Sequence, residues 1–246
     1  IDTAAAYGNS EEVVGSLSHQ SHKIITKLPR VPDGCDDVFQ WVTEQLLLSL
    51  SKLKRESLDA ILLHDPNQLN CEYGNELYRA LYEFKSQGHV KKIGISIYDP
   101  QELECLWGRY RFDIVQSPLN LVDRRILTSG WAERLKINDI ELHTRSVFLQ
   151  GLLLLPKTER PSKFSRWAYI FDEWDHWLDR SGLSAYEACV RFAINQDNVD
   201  IVVVGVDSVT QLQQLKSASG GPLESLPIFN NLEDAQLINP ASWNQL

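Results

Sequence analysis

A single α/β barrel of parallel strands is the fold class this sequence predicts, and three observations carry the prediction. Short apolar runs alternate with longer amphipathic segments, the pattern of parallel strands joined by helices. The length of 246 residues matches the roughly 250 residues of one such barrel. Asp2, Lys27, His64, Ser96, Gln116 and Arg145 each close a strand-like run. All strands of a barrel end on one face, where active sites sit. Six chemically capable side chains at the same relative place are therefore expected to meet there, whereas a doubly wound sheet would spread them along an edge.

The elements follow in order. The chain opens on Ile1-Asp2, which reads as the end of a strand. Residues 23–26, 58–63, 92–96, 113–116, 140–144 and 200–204 are leucine-rich or β-branched, as buried parallel strands are. Residues 37–53 give the clearest helix, with Val38, Trp41, Val42, Leu46, Leu50 and Leu53 at helical spacing. Residues 75–87 form a second helix, ended by Gly88. Residues 100–107 follow Asp99, which is placed to cap them. Residues 184–194 and 208–217 each begin on a capping serine. The expectation is one barrel domain over 1–246, with a variable loop-and-helix insertion at 157–180 and an irregular C-terminal extension at 220–246. A barrel short of its first strand would present open sheet edges, so the natural protein is expected to be longer.

Composition narrows the function. The net charge is −9 and no dense Lys/Arg run occurs, which argues against nucleic acid as a partner. Cys35, Cys71, Cys105 and Cys189 lie far apart with no C-x-x-C pair. They are expected to be reduced thiols of a cytoplasmic protein rather than metal ligands. No apolar run approaches the about 18 residues of a membrane span, and no signal peptide is visible. The expected partner is a small molecule.

The run Ile1-Asp2-Thr3-Ala4-Ala5-Ala6-Tyr7-Gly8-Asn9-Ser10-Glu11 carries most of the chemistry. It places a carboxylate at a strand end and a tyrosine in the glycine-bearing turn beyond it. A lysine and a histidine close later strands. A phenol ionises near about 10 in water, and a neighbouring ammonium favours its ionised form, making it a better acid.

In these motifs the chain resembles the aldo-keto reductase family. Asp2–Glu11 matches the family's D-T-A-x-x-Y-G-x-S-E signature. Ile25-Thr26-Lys27 matches its lysine strand, Leu63-His64-Asp65-Pro66 its histidine segment, and Lys92-Ile93-Gly94-Ile95-Ser96 its K-x-I-G-V-S strand. Gln116-Ser117-Pro118-Leu119-Asn120, residues 143–154 and Val204-Gly205-Val206-Asp207-Ser208 are similar to its later elements. The resemblance implies a (β/α)8 barrel that binds NADP(H) and reduces a small aldehyde, ketone or sugar carbonyl. It implies Tyr7 as the general acid, Lys27 anchored by Asp2 as the group that acidifies it, and His64 as the group that orients the carbonyl. Ser96 and Gln116 would hold the nicotinamide carboxamide, and Arg145 would lie against the ring. Ser146, Gly205 and Ser208 would line the phosphate path.

Two departures from the family pattern matter. Ile97 stands where the family has a carboxamide-holding asparagine, and Asp207 stands where many members have a basic residue near the adenosine 2′-phosphate. An aspartate suits a free ribose diol instead, so NAD(H) is the alternative cofactor, unless Lys216 supplies the charge. The same two residues favour a second reading, a cofactor-binding regulatory or sensor protein with little turnover. Several residues have two readings. His143 is either structural or part of a substrate pocket. Arg124 and Arg125 hint at acidic or phosphorylated groups or are surface charge. Gln116 and Asn120 either tie loops together through their amides or meet cofactor. Trp167, Tyr169, Phe171, Trp174 and Trp177 read first as helix packing, with one or two of them able to touch substrate.

Overall fold

Each of the six full apolar runs that read as strands contributes to one in the computed structural model, which describes residues 1–229 and 234–245, whereas Asp2 forms only an isolated bridge to Ile25. Residues 230–233 and 246, part of the expected C-terminal extension, lie outside the described residues. The chain divides into two compact units, Ile1–Gln116 with Asn138–Glu141, and Ser117–Ile137 with Leu142–Leu246.

The first unit contains α1 (Ser10–Leu17), β1 (Ile25–Leu28), α2 (Val38–Leu53), β2 (Leu58–Leu63), α3 (Gly74–Ser86), β3 (Val90–Ser96), α4 (Gln101–Leu106) and the start of β4 (Ile114–Pro118). β1 pairs with β2, β2 with β3 and β3 with β4, all parallel. Each helix is the crossover that a parallel pair requires. α2 begins where predicted because the Asp37 carboxylate accepts the Gln40 N–H at 2.8 Å. Asp99 likewise accepts the Gln101 N–H at 2.9 Å, although α4 starts one residue later than the sequence suggests.

A repeated aspartate sets the strand register. The Asp59 N–H donates to the Ile24 carbonyl at 3.0 Å, and the Ile24 N–H returns a 2.9 Å bond to the Asp59 carboxylate. Asp113 makes the same exchange with Ile93, at 2.8 and 2.9 Å. In the second unit Asp200 makes it with Leu142, at 2.9 and 2.8 Å. The carboxylate takes the amide that would otherwise go unpaired at the strand entrance. A slip of one residue would break both bonds, so the pairing that decides which side chains share a face is fixed. Sequence reading placed Asp113 and Asp200 as first strand residues; they stand just before β4 and the short strand Ile201–Val202.

Gly94 shows how closely the strands approach. A Cβ there would lie 2.3 Å from the Ile114 carbonyl oxygen and 2.7 Å from Leu62 Cδ2. Gly94→Ala is expected to cost about 1–3 kcal/mol through overpacking, which lowers the thermal midpoint by about 2–4 °C per kcal/mol. An unchanged midpoint in thermal unfolding would contradict this packing.

The second unit contains α5 (Arg125–Thr128), α6 (Trp131–Ile137), most of β5 (Glu141–Arg145), α7 (Ala168–Ser181), α8 (Ala185–Ile194), β6 (Ile201–Val202), α9 (Val209–Ala218) and α10 (Ala235–Ile238). β5 and β6 pair in parallel, His143 with Ile201 and Thr144 with Val202. Ser184 caps α8 in a full capping box with Glu187, and its hydrogen bonds hold the Glu187 carboxyl below the usual carboxylate range. The predicted insertion at 157–180 becomes short 3-10 turns followed by α7. Its aromatic side chains pack as the sequence suggests. Trp174 is fully buried, stacks on Trp177 at 5.6 Å and donates to the Leu153 carbonyl at 3.1 Å. Trp167 donates to Asp234 at 2.9 Å and Trp177 to Ser225 at 3.3 Å, tying α7 and the turn before it to the extension. Tyr169 alone of the five is exposed. Among the described residues no helix is long and apolar enough to cross a membrane.

Candidate functional site

The parallel register places five of the predicted residues on one face. Asp2 bridges to Ile25, and Lys27 lies two residues beyond Ile25. Lys27 pairs with Leu62, and His64 lies two beyond it. Leu62 pairs with Gly94, and Ser96 lies two beyond it. Ser96 pairs directly with Gln116. Side chains two apart share a face and paired residues face the same way. Asp2, Lys27, His64, Ser96 and Gln116 therefore converge on one side of the strand ends of the first unit.

The turn that carries Tyr7 is fastened to β1. The Ala5 N–H donates to the Lys27 carbonyl at 3.2 Å, and the Thr3 N–H to the Ile25 carbonyl at 2.9 Å. Thr26 donates its hydroxyl to the buried Glu11 carboxylate at 2.7 Å. Gly8 follows Tyr7 at φ +58, a left-handed conformation that glycine adopts without strain. Tyr7 is thus held by its backbone while its side chain stays 49% exposed. Its ring lies edge-on to the His64 ring, centroids 5.6 Å apart at 82°.

Lys27 is 1% exposed and would be costly to bury without partners. Its ammonium forms an ion pair with one oxygen of Asp2 and donates to the Thr3 carbonyl at 3.1 Å. It stands 5.5 Å from the centre of the Tyr7 ring. The other oxygen of Asp2 accepts from Gln116 Nε2 at 2.8 Å. Gln116 Oε1 in turn accepts from the Ser96 hydroxyl at 3.4 Å. The Thr3 carbonyl and the Gln116–Asp2 bond were invisible to sequence reading. A backbone oxygen has no residue signature, and a pair 114 positions apart is joined only by the register.

The remaining predicted residues belong to the second unit. Arg145 ends β5 and donates to the Ser146 hydroxyl at 3.2 Å. Ser146 has φ 64, and Leu149, Gln150 and Gly151 also have positive φ, a run of left-handed backbone that is strained for residues with a Cβ. Asn120 is fully buried. It donates to the Ser146 carbonyl at 3.1 Å and accepts from the Val122 and Asp123 amides at 2.9 and 2.8 Å. Of its two readings, the loop tie is the one that engages its amide. His143 is buried on β5. Ser208 caps α9, accepting from the Gln211 N–H at 3.1 Å, while Asp207 is exposed beside it with Gly205 two residues before.

Neither arginine of the Arg124-Arg125 pair is simple surface charge. Arg125 clamps the buried Asp123 carboxylate through two nitrogens, each at 2.9 Å. Arg124 donates to the carbonyls of Leu121 at 2.7 Å and Pro227 at 3.1 Å and lies over the rings of Phe192 and Phe229. Burial pulls its pKa down, and its role is to fasten the extension. All four cysteines are free thiols, and burial pushes the Cys189 thiol up so that it stays protonated. No cluster of metal-ligating side chains occurs among the described residues.

Comparison with known proteins identifies this architecture. The family model for the aldo/keto reductase family matches residues 1–225. Among curated relatives, the aldo-keto reductase YhdN of Bacillus subtilis is 25% identical over 92% of this chain and 76% of its own length. The methylglyoxal reductase DkgA of Escherichia coli is 27% identical over 74% of this chain and 76% of its own. Among solved structures, the holo form of the aldo-keto reductase AKR11C1 from Bacillus halodurans superposes with a TM-score of 0.69 at 22% identity, covering 97% of this chain and 80% of that one. The parallel strands and crossover helices are those of the (β/α)8 class, and the chain belongs to the aldo/keto reductase family of NAD(P)H-dependent oxidoreductases.

Proposed function

We propose that this oxidoreductase reduces the carbonyl of a small aldehyde, ketone or sugar to an alcohol, with Tyr7 delivering the proton. The observation that carries the reading is the charge arrangement around Tyr7. A buried ammonium, balanced by Asp2, stands 5.5 Å from a half-exposed phenol ring whose edge meets His64. The ammonium favours the phenolate that remains once the proton has left, which makes Tyr7 a usable acid at neutral pH. His64 orients the carbonyl oxygen toward Tyr7. Negative charge that develops on that oxygen is stabilised by groups already fixed in place. The nicotinamide supplies the hydride to the carbonyl carbon when bound, and the Tyr7 proton completes the alcohol.

The residues present suit a nicotinamide cofactor. Ser96 and Gln116 offer a hydroxyl and an amide, the donors and acceptors a carboxamide needs, and their mutual 3.4 Å bond is long enough to exchange easily. From the second unit, Arg145, Ser146, Gly205 and Ser208 are the proposed contacts by family resemblance. The N-terminus of α9 behind Ser208 suits a phosphate. NADP(H) is the cofactor proposed first, and the exposed Asp207 is the feature that suits NAD(H) instead.

Titration with NADPH and with NADH, followed by intrinsic tryptophan fluorescence, tests the cofactor assignment. Turnover of a panel of aldehydes, ketones and sugars with the tighter cofactor then tests the chemistry. Saturable binding with loss of reduced cofactor on addition of a carbonyl is expected. Binding of neither cofactor would overturn the reading.

A further inference from the structure

We infer that Gln116 is a positioning residue for the proton-delivery pair, acting through Asp2, and not only a holder of the cofactor; this rests on the reductase reading above. Gln116 is fully buried. A carboxylate can only accept hydrogen bonds, so the amide face turned to Asp2 must be its NH2. That fixes the orientation in which Nε2 donates to Asp2 at 2.8 Å and Oε1 receives the Ser96 hydroxyl. The backbone leaves Gln116 little freedom, because its carbonyl accepts the Ile97 N–H at 2.8 Å and its strand register is set against Ser96.

Asp2 therefore has a donor on each oxygen, Lys27 on one and Gln116 on the other. A carboxylate held at one oxygen can still swing, whereas two donors on opposite oxygens fix its plane. The fixed carboxylate fixes the Lys27 ammonium, and the ammonium sets how readily Tyr7 gives up its proton. Ser96, Gln116, Asp2 and Lys27 form one chain of hydrogen bonds in which only Asp2 is partly exposed. The residues proposed to meet the carboxamide are thus bonded directly to those that tune the acid.

The test uses the whole protein with Gln116→Met, which keeps the shape but cannot donate, and Gln116→Glu, which donates only when protonated. Steady-state kcat and its pH profile are measured on an aldehyde the wild type reduces, with NADPH dissociation constants from fluorescence. The Met variant is expected to lose at least about tenfold in kcat, with the alkaline limb of the profile moved to higher pH. Its NADPH dissociation constant is expected to rise as well, because the proposed carboxamide contact is lost too, so the kcat loss and the moved pH profile report the positioning role. The Glu variant is expected to regain kcat as the pH falls, a rescue that a merely structural role would not show. If the Met variant fails to fold, the Glu variant decides, and absence of low-pH recovery overturns the inference. A Met variant with unchanged kcat and profile but weakened NADPH binding assigns Gln116 to the cofactor alone, and the reductase reading survives. A wild type that reduces no carbonyl removes both.

Discussion

Tyr7→Phe should lower kcat on the order of 10³-fold, within the range typical of losing a general acid, while leaving the fold and cofactor binding intact. Phenylalanine keeps the ring against His64 and near the Lys27 ammonium and removes only the ionisable hydroxyl. The side chain is 49% exposed, so the loss of stability should stay at about 1 kcal/mol. The measurement is kcat on a generic aldehyde beside a fluorescence titration and a thermal melt. A variant that keeps kcat within tenfold of wild type would show that the proton comes from elsewhere. Loss of cofactor binding would instead mark Tyr7 as part of the cofactor cradle.

Lys27→Met should combine a catalytic and a structural loss, and the two can be separated. The substitution leaves the Asp2 carboxylate, 14% exposed, with the Gln116 amide but no cation. Breaking a buried pair costs about 3–5 kcal/mol, and the partial exposure of Asp2 together with its remaining bond points to the lower end. Without the ammonium, the proposed acid loses the cation that favours its phenolate, so kcat should fall by at least about 10²-fold and its alkaline limb should move up in pH. Adding Asp2→Asn removes the stranded charge. The double variant is expected to recover most of the stability and none of the turnover, a non-additivity that places structure and chemistry in different terms. Recovery of turnover in the double variant would show that Lys27 acts only as a counter-ion.

Much of this was legible in the sequence because both the fold and the site depend on short-range regularity. Strand-closing residues such as Lys27, His64 and Ser96 are recognisable from the apolar run before them, and the helix starts at Asp37, Ser184 and Ser208 from capping chemistry. What stayed hidden depends on pairing between distant segments. Asp59, Asp113 and Asp200 look like ordinary residues at strand starts until the register shows each exchanging bonds with one residue in, or immediately before, the neighbouring strand. Arg124 reads either as a hint of an acidic or phosphorylated ligand or as surface charge because the carbonyl of Pro227 and the ring of Phe229 lie about a hundred residues away. Gln116 reads as a cofactor ligand because only the register brings it to Asp2. An aspartate at the start of an apolar run recurs at Asp59, Asp113 and Asp200, a signal that could have been used.

Transfer of label tests the central claim most directly. Wild-type protein is supplied with reduced cofactor carrying deuterium at the transferable position of the nicotinamide, and the alcohol formed from an aldehyde panel is analysed by mass spectrometry. The account predicts an alcohol carrying deuterium on the former carbonyl carbon, formed by wild type and lost in Tyr7→Phe. Saturable cofactor binding with no labelled alcohol from any carbonyl would contradict it and would leave a protein that holds the cofactor without using it.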